Sequence, residues 1–324
     1  MSFSRIRALA VAAFGTGALF LSGNGFGSDP PPLAGRGTTE GYTCVIRHGS
    51  TFLAGGSDGR IDRFSSSGDV TGSVRIPGVQ VNSLLVFRER ILAAGNRGSL
   101  MVSSDGETFS TMDSKTKENI NALAELNGKW MAAADHGQLL IGNENGVEEI
   151  RQLDLKGNIV DLSARIADCY GVTDAGEIIH TTNGTEWTVF DFNREYAGFY
   201  ASCRFTGVTA ADSRIAVAGE QADGSPAVFF SARGQVWTQA VLQYEDNQGR
   251  DGYLTEVPRA LYYDRPQDRF VLACGKGTLL TLPSCSHCNR LILLPAAGLE
   301  GIAGNEHTLV IVGENFCMET ITTK

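Results

Sequence analysis

The chain has 324 residues, of which 42% are hydrophobic and 19% are charged, so it can bury a large core. Its formal net charge of −9 argues against a nucleic-acid partner, because phosphate binding requires clustered Lys and Arg. The 39 glycines, set against 9 prolines, favour an all-β fold with many turns.

The first 27 residues predict a signal peptide. Arg5 and Arg7 precede an apolar run over residues 8–21, and small residues follow up to Gly27. A basic start, a short apolar stretch and a small-residue exit are typical of secretory signals, and the run is shorter than a membrane-spanning helix requires. We therefore expect a secreted or periplasmic protein in which residues 28–38 form an extended spacer. An uncleaved N-terminal anchor is the alternative.

A repeated turn organises the rest of the chain. An apolar run that ends in a turn recurs seven times, with the turn at Gly59, Gly98, Gly137, Gly176, Gly224, Gly277 and Asn315. The first three intervals are each 39 residues, and the later ones are 48, 53 and 38. Four short strands in roughly 40 residues is the period of a propeller blade. Residues 39–324 therefore predict one seven-bladed β-propeller of four-stranded antiparallel blades.

The repeat assigns each blade to a segment of the chain. The predicted blades cover residues 42–75, 79–112, 119–154, 158–193, 202–242, 256–294 and 298–324. The seventh ends after about three strands, one fewer than a propeller blade has. We expect residues near 33–41, within and after the spacer, to supply the missing outer strand and close the ring.

A second turn follows the first by 8 to 10 residues and is centred on Gly68, Gly106, Gly146, Gly184 or Gly234. Its clearest copies read Ser103-Ser-Asp105-Gly106 and Thr181-Thr-Asn183-Gly184. An Asp or Asn side chain can accept hydrogen bonds from turn amides, and Gly permits a positive φ. We therefore interpret Asp105, Gly106, Asn183, Gly184 and Gly234 as structural turn residues.

Residues 103–109 and 181–187 resemble degenerate Asp boxes. Such boxes mark the BNR-repeat propellers, which include the sialidases and the photosystem II assembly-factor-like propellers. The wider unit from Ile91 to Phe109 is more similar to the assembly-factor group. The resemblance covers about residues 40–324 as a period, and what it implies is a fold rather than a particular function.

Three insertions interrupt the period and predict a binding surface. The link between blades 4 and 5 holds Tyr196, Phe199 and Tyr200, a loop within blade 5 holds Glu220 and Asp223, and the link between blades 5 and 6 holds Asp246, Arg250, Asp251 and Tyr253. Such connections share one face of an antiparallel ring, and long loops on a rigid scaffold commonly carry function. We expect a protein or glycan ligand there. The alternative is tolerated insertion, with the tyrosines packed down as lids.

One motif supports an enzyme alternative. Arg75-Ile-Pro resembles the Arg-Ile-Pro motif of sialidases, in which an arginine triad clamps the substrate carboxylate. Arg75 is then one candidate arginine, while the other two and the Tyr/Glu nucleophile pair have no matching context. The sequence therefore favours an exported, non-enzymatic binding or assembly scaffold, with a sialidase-like glycoside hydrolase as the alternative.

The seven cysteines predict packing and one small disulfide. Cys285-Ser-His-Cys288 would need further ligands to hold a metal, so we interpret it as a disulfide between Cys285 and Cys288 across a blade turn. Cys169, Cys203 and Cys274 stand in apolar strands and are expected to be buried. We predict no metal, no cofactor and no stable membrane insertion once the signal is cleaved.

Overall fold

The computed structural model describes residues 40–245, 249–284, 287–293 and 298–323, without the side chains of residues 284–293. The predicted signal peptide, residues 28–38 and most of the predicted closing strand lie outside these ranges. Within them, seven antiparallel sheets follow one another along the chain. Six have four strands and the last has three, and a separate two-stranded hairpin stands before the sixth.

The first four blades are formed as follows. Blade 1 contains β1 (Tyr42–His48), β2 (Thr51–Gly56), β3 (Arg60–Phe64) and β4 (Val70–Arg75). Blade 2 contains β5 (Val81–Phe87), β6 (Arg90–Gly95), β7 (Leu100–Ser103) and β8 (Ser110–Thr111). Blade 3 contains β9 (Ile120–Leu126), β10 (Lys129–Ala134), β11 (Gln138–Asn143) and β12 (Gly146–Gln152). Blade 4 contains β13 (Ile159–Ala164), β14 (Cys169–Thr173), β15 (Glu177–Thr181) and β16 (Thr188–Asp191).

Helix α1 (Phe192–Glu195) leads to the last three blades. Blade 5 contains β17 (Cys203–Ala210), β18 (Ile215–Gln221), β19 (Pro226–Ser231) and β20 (Thr238–Gln239). The hairpin of β21 (Gln243–Glu245) and β22 (Asp251–Tyr253) follows. Blade 6 contains β23 (Pro258–Asp264), β24 (Arg269–Cys274), β25 (Thr278–Ser284) and β26 (His287–Leu293). Blade 7 contains β27 (Leu299–Gly304), β28 (Thr308–Gly313) and β29 (Met318–Thr322).

The seven-bladed propeller predicted from the glycine period is confirmed. The predicted blade limits agree with the observed strands to within three residues wherever both can be compared. The structure also shows two elements that the period did not predict, helix α1 and the β21–β22 hairpin, and both lie in the insertions. No helix of the described ranges is long and apolar enough to cross a membrane.

One backbone hydrogen bond recurs in every blade, at the repeated turn that defines the sequence period. The amide that opens the turn after the second strand donates to the carbonyl just before the first strand, at 2.8 to 3.3 Å. The seven pairs are Ser57–Gly41, Asn96–Gln80, Asp135–Asn119, Asp174–Asn158, Ala222–Ser202, Gly275–Val257 and Glu314–Gly298. Six of these turns end in a glycine with a positive φ, and in blade 1 the turn also passes close to the link that follows the blade. A Cβ on Gly59 would lie 1.8 Å from the carbonyl oxygen of Ile76.

The first strand of each blade lines the axis, and these inner strands are linked to one another by side chains. Each inner strand carries a β-bulge near its start. In blades 2 and 3 the bulged residues Asn82 and Asn121 donate to the backbone carbonyls of Ile120 and Ile159 in the next blade, both at 3.0 Å. Thr206 makes the equivalent bond to Pro258 at 2.6 Å. The bulges thus connect neighbouring blades around the axis.

The core is divided among the junctions between blades. Seven apolar clusters each join two neighbouring blades, and one of them joins blade 7 to blade 1. In that cluster Tyr42 and Phe52 of blade 1 pack with Val310 and Val312 of blade 7. The described residues therefore close the ring by apolar packing between its first and last blades.

Candidate functional site

The link between blades 4 and 5 begins with α1 and is anchored by two tyrosines. The hydroxyl of Tyr196 accepts a 2.7 Å hydrogen bond from the backbone amide of Trp237, which lies next to the outer strand of blade 5. The ring of Tyr200 lies 5.0 Å from that of Phe229. Both tyrosines pack against the apolar cluster of this junction. These contacts anchor the link against the core of this junction.

Phe199 lies between the two anchors but points away from the core. Its side chain is 75% exposed, although its amide donates a 2.9 Å hydrogen bond to the carbonyl of Tyr196. The next amide, that of Tyr200, bonds to the same carbonyl at 3.2 Å. The structure thus presents one large apolar side chain to solvent on a hydrogen-bonded turn. An exposed aromatic on a fixed backbone is a typical feature of binding surfaces.

The hairpin between blades 5 and 6 is anchored in a similar way. The amide of Leu254 donates to the carbonyl of Leu242 at 2.9 Å, and both residues pack at the junction of these blades together with Tyr244. The Tyr244 ring lies on Gly252, where a Cβ would stand 2.7 Å from the ring. The neighbouring Tyr253 is 67% exposed. Tyr253 pairs with Gln243 at the base of the hairpin, so its backbone is fixed while its side chain faces solvent.

The polar residues of the predicted surface have mixed positions. Glu220 is mostly buried in an ion pair with Arg204 across β17 and β18. Asp223 accepts from the amide and the hydroxyl of Ser225 at 2.9 and 2.6 Å, and these bonds lower the pKa of its carboxyl. Arg250 and Asp251 are exposed on the hairpin. Asp246 lies outside the described residues. The exposed members of the surface are Phe199 before blade 5, Asp223 in a loop of blade 5, and Arg250, Asp251 and Tyr253 after it.

The turn at Asp105 has the hydrogen bonds expected from its sequence. Asp105 Oδ1 accepts from the amides of Glu107 and Thr108, both at 2.8 Å, and Ser103 Oγ accepts from the amide of Gly106 at 2.8 Å. The amides of Thr108 and Glu107 lower the pKa of Asp105 to about 2, because they stabilise the ionised carboxylate.

The turn at Asn183 repeats this arrangement in blade 4. Asn183 Oδ1 accepts from the amides of Thr185 and Glu186 at 2.9 and 2.8 Å, and Thr181 Oγ1 accepts from Gly184 at 2.9 Å. In blade 5, Gly234 takes a φ of 70° and a Cβ there would lie 2.7 Å from the ring of Tyr170 in blade 4. These turns stabilise the blades and bring glycine close to the preceding blade.

Arg75 lies on β4, the outermost strand of blade 1, rather than on an inner strand. It forms a 2.7 Å ion pair with Asp58, and both side chains are about 60% exposed. A carboxylate clamp on the propeller axis would require arginines on the inner strands or their connecting loops. The position of Arg75 at the outer rim therefore does not favour the sialidase-like alternative.

The predicted disulfide and the predicted buried cysteines lie in different parts of the chain. Cys285 and the side chain of Cys288 lie outside the described residues, so their disulfide stays a prediction. Cys169, Cys203 and Cys274 are buried thiols, as expected, and burial raises the pKa of Cys203 to about 12.

Across the described part of the chain, no group of three or more His, Cys, Asp or Glu could hold a metal ion.

A buried polar network in blade 1 was not predicted from the sequence. Asp62 is fully buried and accepts from the hydroxyl of Tyr42, from Arg60 Nε at 2.6 Å and from Ser73 Oγ at 2.6 Å. The Arg60 guanidinium lies 4.4 Å from the ring centre of Phe316 in blade 7. Burial and the bond to Asp62 raise the pKa of Tyr42. A charged residue at every second strand position normally indicates a solvent face, so this network could not be recognised from the sequence.

No family model and no curated protein matches the chain. Among solved structures it is similar to one described as "YCF48 bound to D1 peptide", with a TM-score of 0.65 and 14% identity over 92% of this chain and 97% of that one. It is also similar to the WD40 β-propeller domain of Doa1, with a TM-score of 0.65 and 12% identity over 89% of this chain and 94% of that one. The WD40 domain of Neurospora crassa Pan2 gives a TM-score of 0.65 and 10% identity over 87% and 88%. At such low identities these likenesses show the propeller fold alone.

Proposed function

We propose that this chain is an exported, non-enzymatic propeller scaffold that binds a protein or peptide through the exposed loops around blade 5. The observation that carries the proposal is the position of Phe199. It is exposed to solvent, while Tyr196 and Tyr200 on either side of it pack into the core. A side chain held in this way loses little conformational freedom when a partner covers it.

The hairpin on the other side of blade 5 supports the same interpretation. Tyr253 is exposed at the hairpin base, which Leu242, Tyr244 and Leu254 fix. Tyrosine offers a large contact area at a low entropic cost and is enriched among residues that dominate binding energy. Arg250 and Asp251 beside it provide charges that can select a partner and orient it.

The likeness to a propeller solved with a bound peptide is consistent with a peptide ligand for this fold. We further propose that the chain is of the Asp-box type. Support comes from the matching hydrogen bonds of the Asp105 and Asn183 turns.

Export is part of the proposal and rests on the N-terminal sequence. It predicts that the mature chain begins close to residue 28, which N-terminal sequencing of the secreted or periplasmic protein would determine.

Site-specific photo-crosslinking tests the binding surface. A photoreactive amino acid is placed at Phe199, at Tyr253 or at Val70, an exposed control on the outer strand of blade 1. We expect crosslinks to one protein species from the envelope or medium at the first two positions and not at Val70. Equal crosslinking at Val70 would contradict the proposal. Glycan binding without any protein crosslink would point to a carbohydrate ligand instead.

Affinity measurements with the crosslinked partner then quantify the surface. We expect Phe199→Ala and Tyr253→Ala each to weaken binding by about tenfold or more, as truncation of an interface aromatic commonly does. Val70→Ala is the matched control and leaves the affinity unchanged.

A fluorogenic sialoside assay tests the enzyme alternative. Hydrolysis that is lost in Arg75→Ala would overturn the non-enzymatic assignment.

A further inference from the structure

The hairpin between blades 5 and 6 has one open edge among the described residues. Its strand β21 lies beside β26, the outer strand of blade 6, whereas β22 pairs with β21 alone. An unpaired strand edge presents backbone amides and carbonyls to which another strand can bond. Lys and Pro commonly block such pairing, and β22 contains neither. The edge of β22 can therefore accept a further strand.

A hydrogen bond at the hairpin base defines which backbone groups face this edge. The amide of Leu254 donates to the carbonyl of Leu242 at 2.9 Å. Hydrogen-bonded and non-hydrogen-bonded pairs alternate along an antiparallel ladder, so Tyr253 and Asp251 occupy non-hydrogen-bonded positions. The amide and carbonyl groups of Tyr253 and Asp251 therefore point away from β21 and toward the open edge.

The two faces of the hairpin differ in character. Leu242, Tyr244 and Leu254 lie on the inner face and pack at the junction of blades 5 and 6. Since successive strand residues point to opposite faces, Tyr253 and Asp251 lie on the outer face, and both side chains are exposed. An added strand would thus meet one aromatic and one acidic side chain on the same face.

The charges of the hairpin favour a basic partner. Glu245 lies directly opposite Asp251 in the ladder, and both residues are exposed. Like charges at directly opposite positions destabilise a strand pair. Arg250 is the one positively charged residue in the described parts of the hairpin, residues 243–245 and 249–253, so acidic residues outnumber basic ones there. A Lys or Arg of an added strand, placed opposite Asp251, would offset the repulsion.

We propose that the partner binds by adding an extended segment to β22, antiparallel, with an apolar side chain opposite Tyr253 and a Lys or Arg opposite Asp251. In this mode of recognition the main-chain hydrogen bonds provide affinity and alternate side chains provide specificity. Because β22 is short, the side-chain contacts contribute a large share of the binding. This inference rests on the proposed function, since it states how a partner engages one of the proposed loops.

A synthetic peptide tests the sequence preference. The probe is acetyl-Thr-Lys-Thr-Phe-Thr-Lys-Thr-amide, in which Phe can lie opposite Tyr253 while a Lys on the same face lies opposite Asp251. Fluorescence anisotropy measures its binding to the full chain. We expect the peptide to bind, and we expect replacement of both Lys by Glu to weaken binding by about tenfold or more. Equal binding of the two peptides would overturn the proposed basic partner.

N-methylation of the same peptide tests the backbone pairing without altering the protein. The Phe amide would point toward β22, and the amide of the Thr that follows it would point away. We expect N-methylation at Phe to weaken binding by about tenfold or more, whereas N-methylation at that Thr is the matched control and changes it little. Equal effects of the two methyl groups would overturn strand addition, as would the absence of any binding by the unmodified peptide.

Two variants of the chain provide a second measurement. Asp251→Ala and Asp251→Pro both remove the carboxylate, but only proline also removes the amide that faces the open edge. We expect Asp251→Ala to weaken peptide binding by about tenfold, and Asp251→Pro to weaken it by about tenfold more. Identical affinities of the two variants would contradict the strand pairing.

The outcome can be separated from that of the proposed function. Crosslinks to one protein at both Phe199 and Tyr253, combined with equal effects of the two N-methylations, would overturn strand addition and leave the binding surface supported. The absence of crosslinks at both positions would contradict the binding surface itself, whatever the peptide does.

Discussion

The backbone amide of Trp237 donates a 2.7 Å hydrogen bond to the side-chain hydroxyl of Tyr196, across the junction between blades 4 and 5. This bond connects the link after blade 4 to the outer part of blade 5 and fixes the backbone three residues before Phe199. Tyr196→Phe keeps the ring packing and leaves the partly buried amide without its acceptor. We expect the free energy of unfolding to fall by about 1 kcal/mol. Urea unfolding measures it, and Phe199→Ala serves as the control that should change stability little.

The buried network of blade 1 gives a second prediction. Asp62 and Asp58 each pair with an arginine of blade 1, but Asp62 is fully buried while Asp58 is 60% exposed. Asp62→Ala leaves Arg60 and Tyr42 without their buried acceptor, and we expect it to cost about 3 kcal/mol or more. Asp58→Ala breaks an exposed pair and should cost less than about 1 kcal/mol. Thermal unfolding of the two variants makes the comparison. Similar losses of stability would show that burial of the ion pair does not determine how much it contributes.

The blade positions could be predicted from the sequence because one geometric constraint recurs at each of them. The turn before Gly59 and its six counterparts place the chain against the residue that starts the inner strand. All seven turn residues have a positive φ, which glycine adopts most readily, so the position is visible as a spaced glycine. The turns at Asp105 and Asn183 were predictable for the same reason, since their hydrogen bonds are local in sequence.

The candidate site was only partly predictable. Its location in the three insertions followed from the broken period, but the sequence could not separate Tyr196 and Tyr200 from Phe199. All three are aromatic and lie within five residues, and only the packing against Phe229 and Trp237 distinguishes anchors from exposed groups. Tyr200→Ala is therefore a poor test of binding, because it removes core contacts as well as surface area.

The buried cysteines give a third prediction. Burial raises the pKa of Cys203 to about 12 and also raises the pKa values of Cys169 and Cys274, so all three remain protonated thiols at neutral and mildly alkaline pH. We expect an alkylating reagent at about pH 8 to leave these three unmodified in the native protein and to label them fully in denaturant. Peptide mass spectrometry after alkylation identifies the labelled sites. Rapid native labelling of Cys274 would show that the junction between blades 5 and 6 opens.

The turn at Asp105 predicts a specific pH dependence. Its pKa is lowered from 3.8 to about 2 by the amides of Thr108 and Glu107, so the folded state favours the ionised carboxylate. A group with a lower pKa in the folded state stabilises the protein above its unfolded value. This contribution should therefore be complete above about pH 4 and should disappear as the pH falls through about 2.

Asp105→Asn isolates that contribution, because Asn183 shows that an amide oxygen can accept the same pair of backbone bonds without titrating. We expect the urea midpoint of the unmodified chain to exceed that of the variant near neutral pH, and the difference to shrink steadily from about pH 4 to about pH 2. Asn183→Asp places a titrating group in the matching turn of blade 4 and should introduce the same acid dependence there. The prediction would be wrong if the difference in urea midpoint between Asp105→Asn and the unmodified chain stayed constant over this range. That result would mean that the turn amides do not stabilise the ionised carboxylate, so the turns of blades 2 and 4 would share a shape but not this electrostatic effect.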